Sequence, residues 1–203
     1  MIDSQDIPTA RPVRKRRAEV VDAAARVFAE RGYHGASTQD IADILGMRQA
    51  SLYYYVPSKE AALEEVCAIA TAGCAERAEA IATADLPVEG RLRALLIAQL
   101  APAQDRADYV RTYLNERKWL PEVSRSRVAR LAAQLERILE SVIAEGIESG
   151  RFRGTLNPGR TALGLTGMMN AAVMWPDDAR MPFDPVAEDL ADLGLHAVLA
   201  KPG

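Results

Sequence analysis

Apolar residues recur at three- and four-residue intervals along almost the whole of this 203-residue chain, a period that only helices satisfy. Val20, Ala24, Val27 and Phe28, for example, form one amphipathic stripe. Alanine, leucine, valine, arginine and glutamate dominate, and β-branched runs bounded by turn residues are nearly absent. The expectation is an all-α fold with no sheet.

Breakers divide the pattern. Residues 1–13 hold Asp3, Ser4, Gln5, Asp6, Pro8 and Pro12 with little to bury and read as a disordered arm that turns basic toward the first helix. That helix runs from Arg14 to Arg31 and ends at Gly32. Ser37-Thr38-Gln39-Asp40 offers a capping-box start to a short second helix closed by Gly46. A third, from Arg48 to Tyr55, stops before Pro57, and Ser58 caps a fourth extending from Lys59 to about Thr83. Further helices are expected at 88–101, 105–118, 122–149, 158–175 and 184–200, separated by Pro102, Pro121, Gly150 to Gly154 and Pro176 to Pro182. The organisation expected is an arm (1–13), a small N-terminal domain (14–60) and a larger bundle (61–203).

A net charge of -3 gives no global signature of a nucleic-acid binder, so any such case must be local. It is local: residues 1–60 carry nine Lys/Arg against eight Asp/Glu, the remainder sixteen against twenty, and five of the seven residues Arg11 to Arg17 are basic. No apolar run reaches the roughly 18 residues of a membrane span and the N-terminus lacks a secretory signal, so the expected location is cytoplasmic. Cys67 and Cys74 would lie on one helix face about 10 Å apart at the helical rise. That is too far for a disulfide, so they read as small buried hydrophobes. With two histidines and no phosphate loop, zinc spacing, nucleophile elbow or dinucleotide fingerprint, an enzyme, a metal site or a cofactor is not expected.

The constellation that carries chemistry lies between Ser37 and Lys59. Two short helices joined by a glycine turn have the layout of a helix-turn-helix. A major groove about 12 Å wide admits one helix, whose first side chains meet base edges. Arg48 and Gln49 are long enough to do so, while Ala50 and Ser51 are small enough to let the helix approach. Tyr53 and Tyr54 suit the groove wall and phosphates, and Lys59, in the first turn of the next helix, suits a phosphate. Arginine offers no acceptor at a helix cap, so residues 48–51 should fray in the free protein and be capped by DNA. The competing reading makes Tyr53, Tyr54 and Tyr55 ordinary aromatics of a bundle.

From Phe28-Ala29-Glu30-Arg31-Gly32-Tyr33-His34-Gly35 through Thr38-Gln39-Asp40-Ile41-Ala42 to Leu52-Tyr53-Tyr54-Tyr55-Val56-Pro57-Ser58-Lys59-Glu60, the chain resembles the N-terminal domain of the TetR family of regulators. It departs at Arg48 (a small polar cap is usual), Tyr55 (histidine is common) and Val56 (phenylalanine is usual). The resemblance implies that Thr38, Gln39, Arg48, Gln49, Ala50, Ser51, Tyr53, Tyr54, Tyr55 and Lys59 face double-stranded DNA, a near-palindromic operator. His34 is expected in a turn.

By the same resemblance, the bundle should hold a small-molecule effector and form a homodimer through its last two helices. Gly164, Gly167 and Ala171 would allow close approach there, with Leu190, Leu193 and Val198 supplying apolar surface. A pocket would draw on Cys67, Ala70, Cys74, Tyr109, Tyr113, Met168, Met169, Asn170 and Trp175. The turn Gly150-Arg151-Phe152-Arg153 and the Met168-Met169-Asn170 helix loosely resemble family members that sense acyl-coenzyme A thioesters. A large apolar drug-like or lipid-like molecule is the alternative effector. A DNA-binding module with no effector is the rival, and a bundle without a cavity would favour it.

Overall fold

The computed structural model describes residues 13–175 and 183–200. Nine α-helices are present among them: α1 (Val13–Gly35), α2 (Thr38–Ile44), α3 (Gln49–Leu52), α4 (Lys59–Ala70), α5 (Cys74–Ala82), α6 (Val88–Glu116), α7 (Glu122–Glu148), α8 (Pro158–Val173) and α9 (Phe183–Val198). Extended pairing among these residues is limited to one isolated antiparallel bridge, Phe152 with Leu199. The arm expected at 1–13 lies, but for Val13, outside the described residues, as do residues 176–182.

Two expected boundaries are corrected. The long connector from Lys59 to Thr83 is two helices, because Gly73 sits at φ 68° and the Thr71 hydroxyl caps the Cys67 carbonyl at 2.9 Å. Cys67 and Cys74 are therefore on different helices. Conversely, the segments 88–101 and 105–118 are one helix. Pro102 removes one backbone donor, but the break appears only as a kink at Arg106 (φ −140°, ψ 47°). Helices α1, α4, α5, α7, α8 and α9 all pack on α6, and that burial holds it together across the proline. The first helix is also irregular at the expected Gly32, where φ is 69°, but resumes for one more turn to Gly35.

The described residues form two cores. The first gathers Val20, Val21, Ala24, Val27 and Phe28 of α1 with Ile41, Leu52 and Val56, and extends to Leu63, Val66, Cys67 and Ala70 of α4. Tyr109, Leu120 and Val128 reach into it from the bundle. Val56, smaller than the phenylalanine usual in the family, is nonetheless 1% exposed. The second core joins Leu92, Leu96, Leu100, Leu139, Val142, Ile143, Met169, Ala191 and Val198. Val198 thus packs inside its own chain, which corrects its assignment to a surface between chains.

After α7, Gly150 at φ 71° turns the chain so that the Phe152 amide donates to the Gly146 carbonyl at 2.8 Å. The Phe152 ring then lies on Gly146, where a Cβ would stand 2.0 Å from a ring carbon. The Arg153 amide donates to the Val198 carbonyl (2.9 Å) and the Ala200 amide to the Arg151 carbonyl (3.0 Å), tying the end of α9 to this loop.

Candidate nucleic-acid interface and ligand cavity

The N-terminal reading element is assembled from short-range bonds. Ser37 caps α2: its hydroxyl accepts from the Asp40 amide (3.1 Å), and its own amide donates to the Asp40 carboxylate (2.8 Å). Arg31 adds an ion pair to Asp40 at 2.5 Å. The Ser37 hydroxyl and amide, helped by Arg31, hold the Asp40 carboxyl below the usual carboxylate range, so the box persists at mildly acidic pH. Ile41 and Ala42 anchor α2 inward, and Leu52, fully buried, anchors α3. Between them Gly46 takes φ 60° with nothing among the described residues within 4 Å of a would-be Cβ, so backbone conformation selects glycine there.

Helix α3 consequently projects its other faces outward. Arg48 is its N-cap, extended and without a side-chain cap bond, as the sequence suggested. Arg48, Ala50 and Ser51 are exposed, and Tyr53 and Tyr54 are 46% and 73% exposed. Gln49 is half-buried and donates to the Thr38 hydroxyl at 2.6 Å; that oxygen lies 3.2 Å from the Tyr53 hydroxyl. Gln49, Thr38 and Tyr53 therefore form one chain across the two helices. Gln39, also exposed, donates to Asp43 at 2.6 Å. Tyr55 is half-buried against the first core, its ring edge-on to Tyr54 at 5.2 Å.

Lys59 behaves differently from its sequence reading. Its ammonium donates to the Tyr33 and Ala36 carbonyls (2.8 and 3.0 Å) and sits 4.3 Å from the centre of the Tyr33 ring. It ties the end of α1 to the start of α4, instead of reaching outward as the phosphate contact expected. His34, expected in a turn, is in the last helical turn of α1, because the helix resumes after Gly32, and lies edge-on to Trp119 at 4.2 Å. At the start of α1, Arg14 and Lys15 are exposed, whereas Arg16 pairs with Glu19 and Arg17 with Glu65.

The bundle contains a cavity of about 160 Å³ between α4, α5, α6, α7 and α8. Of the residues proposed from sequence it draws together Ala70, Cys74, Tyr113 and Asn170. The others lie elsewhere. Cys67 and Tyr109 are buried in the first core, Met169 is fully buried in the second, Met168 packs on that second core, and Trp175 is 40% exposed at the end of α8. Burial pushes the Cys67 thiol up to about 12, and raises Cys74 and Tyr113 as well. Both thiols are therefore protonated at neutral pH.

Sequence reasoning missed Gln99, Thr71, Arg117 and Glu136, the remaining polar groups around the cavity besides Thr166. A signal existed for Gln99, which interrupts the apolar stripe Leu92, Leu95, Leu96, Leu100, Ala103. The break between α4 and α5, which carries Thr71 to the wall, left a weaker trace.

Helix α6 links the two regions. One face lines the cavity through Leu95, Ala98, Gln99, Pro102, Val110 and Tyr113. Another face holds α1: the Tyr109 hydroxyl donates to Asp22, Thr112 to the Ala25 carbonyl (3.1 Å), and Glu116 accepts from the Tyr33 amide (3.0 Å) at the Gly32 irregularity. Tyr109, Thr112 and Glu116 stand three and four residues apart, on one helix face.

Comparison with known proteins settles the family. The description "Bacterial regulatory proteins, tetR family" matches residues 20–66, and "Tetracyclin repressor-like, C-terminal domain" matches residues 85–198. The chain belongs to the TetR family. It is a DNA-binding transcriptional repressor. The HTH-type transcriptional repressor KstR2 of Rhodococcus jostii is 27% identical over 189 residues, covering 92% of each chain. KstR2 of Mycobacterium tuberculosis is 30% identical over 146 residues, covering 71% of this chain and 73% of that one. The solved structure of M. tuberculosis KstR2, a ketosteroid transcriptional regulator, superposes with a TM-score of 0.85 at 24% identity over 92% of this chain and 96% of that one. AibR, solved in complex with isovaleryl coenzyme A and operator DNA, gives 0.76 at 23% identity over 88% and 97%. Among the described residues, no helix is long and apolar enough to cross a membrane.

Proposed function

We propose that this repressor reads its operator with α3 and the residues around it, as a homodimer, and lets go when a small molecule fills the cavity against α6. One observation carries the reading: α3 stands out from the first core, and α6 connects the helix behind it to a cavity wall. Arg48 and Gln49 meet base edges. Ala50 and Ser51 permit close approach, and Thr38, Gln39, Tyr53, Tyr54 and Tyr55 position the helix on phosphates and groove wall. Lys59 serves by fixing α4 against α1. The reading domain is taken as residues 14–60 and the effector and dimerisation domain as 61–203, with a cytoplasmic location.

The dimer face is proposed on α8 and α9, where Leu163 (62% exposed), Leu193 (58%), Met174 and Trp175 leave apolar surface open. Among the described residues, nothing outside their own stretch of helix lies within 4 Å of a would-be Cβ at Gly164 or Gly167, leaving space for a second helix. Two reading helices about 34 Å apart then match successive major grooves.

The effector is an acyl-coenzyme A or another large apolar molecule, of which this cavity would hold the apolar part. The AibR complex supports the first class. Filling the cavity presses on Pro102, Val110 and Tyr113, and α6 passes the strain to α1 through Tyr109, Thr112 and Glu116. Coupling of about 1 to 3 kcal/mol is enough to relieve repression. Ala98→Leu, which occupies part of the cavity, stands in for the ligand: operator affinity by fluorescence anisotropy should fall about tenfold. Unchanged affinity with an intact fold would rule out the cavity as the control point.

A further inference from the structure

The polar end of the cavity has a chemistry of its own. Gln99 on α6 and Asn170 on α8 face each other there: the Gln99 amide nitrogen lies 3.3 Å from the Asn170 side-chain oxygen and 3.4 Å from the Thr166 carbonyl. Both bonds are longer than the usual N–H···O range, so the pair is weakly closed. A carboxamide carries two donors and one acceptor group. Among the described residues, the Asn170 amide nitrogen and the Gln99 carbonyl have no further protein partner, leaving a donor and an acceptor side by side. The Thr166 carbonyl, which can only accept, fixes Gln99 in this orientation, and Asn170 must then present its oxygen to the Gln99 amide nitrogen.

Among the described residues the one cation in the cavity wall is Arg117, which follows the end of α6, beyond the Arg106 kink, and is engaged with the Tyr113 ring, 5.0 Å from its centre; a carboxylate, Glu136, also lines the wall. Between the ends the wall is apolar: Leu95, Ala98, Pro102, Val110, Leu135 and Leu139.

We infer that Gln99 and Asn170 recognise an uncharged group that both donates and accepts, a hydroxyl or a carboxamide, on an otherwise apolar molecule, and that they reject a carboxylate. A carboxylate brings acceptors only, so the Gln99 carbonyl would face it unpaired and its charge would lose water without a cation in return. The inference rests on the reading of this cavity as the effector site and adds the ligand's chemistry to it.

The size of the cavity chooses the probes. An apolar cavity of about 150 Å³ admits benzene, so cyclohexanol and methylcyclohexane, matched in bulk, and the slightly larger cyclohexanecarboxylate share one ring and differ in the group at issue. Titration of the full chain, followed by chemical shifts of methyl groups in Leu95, Val110 and Leu139, should rank cyclohexanol about five- to tenfold above methylcyclohexane, with the carboxylate weakest. The variant Gln99→Met, near-isosteric at a half-buried position, should bring cyclohexanol and methylcyclohexane level. A carboxylate bound as well as the alcohol, or methylcyclohexane at least as tightly, overturns the inference, as does absence of binding by all three. Operator affinity measured in the same samples separates the two ideas. Cyclohexanol that ranks first yet leaves DNA binding untouched preserves the recognition and removes the effector role. Release of DNA without the ranking does the reverse.

Discussion

The bond between Tyr109 and Asp22 joins the two parts of the molecule and can be tested as a unit. Tyr109 is 6% exposed and donates its hydroxyl to the Asp22 carboxylate on an exposed face of α1. A hydrogen bond to a charged partner contributes about 1.5 to 3 kcal/mol. Because water can replace the phenol at Asp22, the lower end applies, and Tyr109→Phe should cost about 1.5 kcal/mol. The ring and its contact with the Arg106 guanidinium, 5.6 Å from the ring centre, survive that change. Asp22→Asn keeps an acceptor but loses the charge, so it should cost about half as much. Together the two substitutions should cost about as much as Tyr109→Phe alone, roughly 0.75 kcal/mol less than their sum, which is the coupling between α1 and α6. Urea denaturation followed by helical ellipticity gives all four values, with the denaturant slope unchanged if the fold is intact. Additivity within about 0.3 kcal/mol would show that the contact transmits nothing. Ala98→Leu would then have to reach the reading helix by another route.

Three further outcomes are expected. Gln49→Ala should cost about 1 to 3 kcal/mol at one base position and relax preference there, read by binding to operator variants; equal loss on every variant would make it a backbone contact. Gly146→Ala should destabilise by about 3 kcal/mol despite alanine's better helix propensity, since the Phe152 ring occupies the space. Adding Phe152→Ala should recover part of that cost, and a simple sum in thermal melts would refute the packing argument. Stability should fall above about pH 10, because burial, foremost, and carboxylate bonds keep the Tyr33 and Tyr109 phenols protonated in the folded chain beyond their unfolded range, while burial does the same for the Cys67 thiol. The unfolded chain then binds fewer protons than the folded one, and each group steepens the loss by up to about 1.4 kcal/mol per pH unit. A stability flat from pH 9 to 11 would contradict it.

The sequence revealed the elements whose signals are local. The Ser37 box, Gly46 and Ser58 each act within a turn or two, so α2 and the starts of α3 and α4 fall where their residues direct, whereas α3 ends at Leu52, short of the Tyr55 expected from Pro57. Pro102 misled because its local cost is outweighed by helices packed on α6, information no window of sequence contains. Gly73 misled in the opposite sense, hidden in an alanine-rich run that reads as continuous helix. For the cavity, residue type was a poor guide. Met169 and Cys67 look adaptable yet are buried packing, whereas Gln99 was visible as a polar interruption of an apolar stripe. Lys59 shows the limit of charge: nothing in the sequence says that two carbonyls at the end of α1 would take its ammonium.

The central claim is that the segment from Ser37 to Lys59 is what touches DNA. Hydrogen exchange of the full chain, alone and with a duplex it has selected from a random pool, addresses this directly. Protection should appear at residues 38–56, strongest around the uncapped start of α3, with smaller changes along α6. Protection confined to the bundle, or a pool that yields no preferred duplex, would contradict the account.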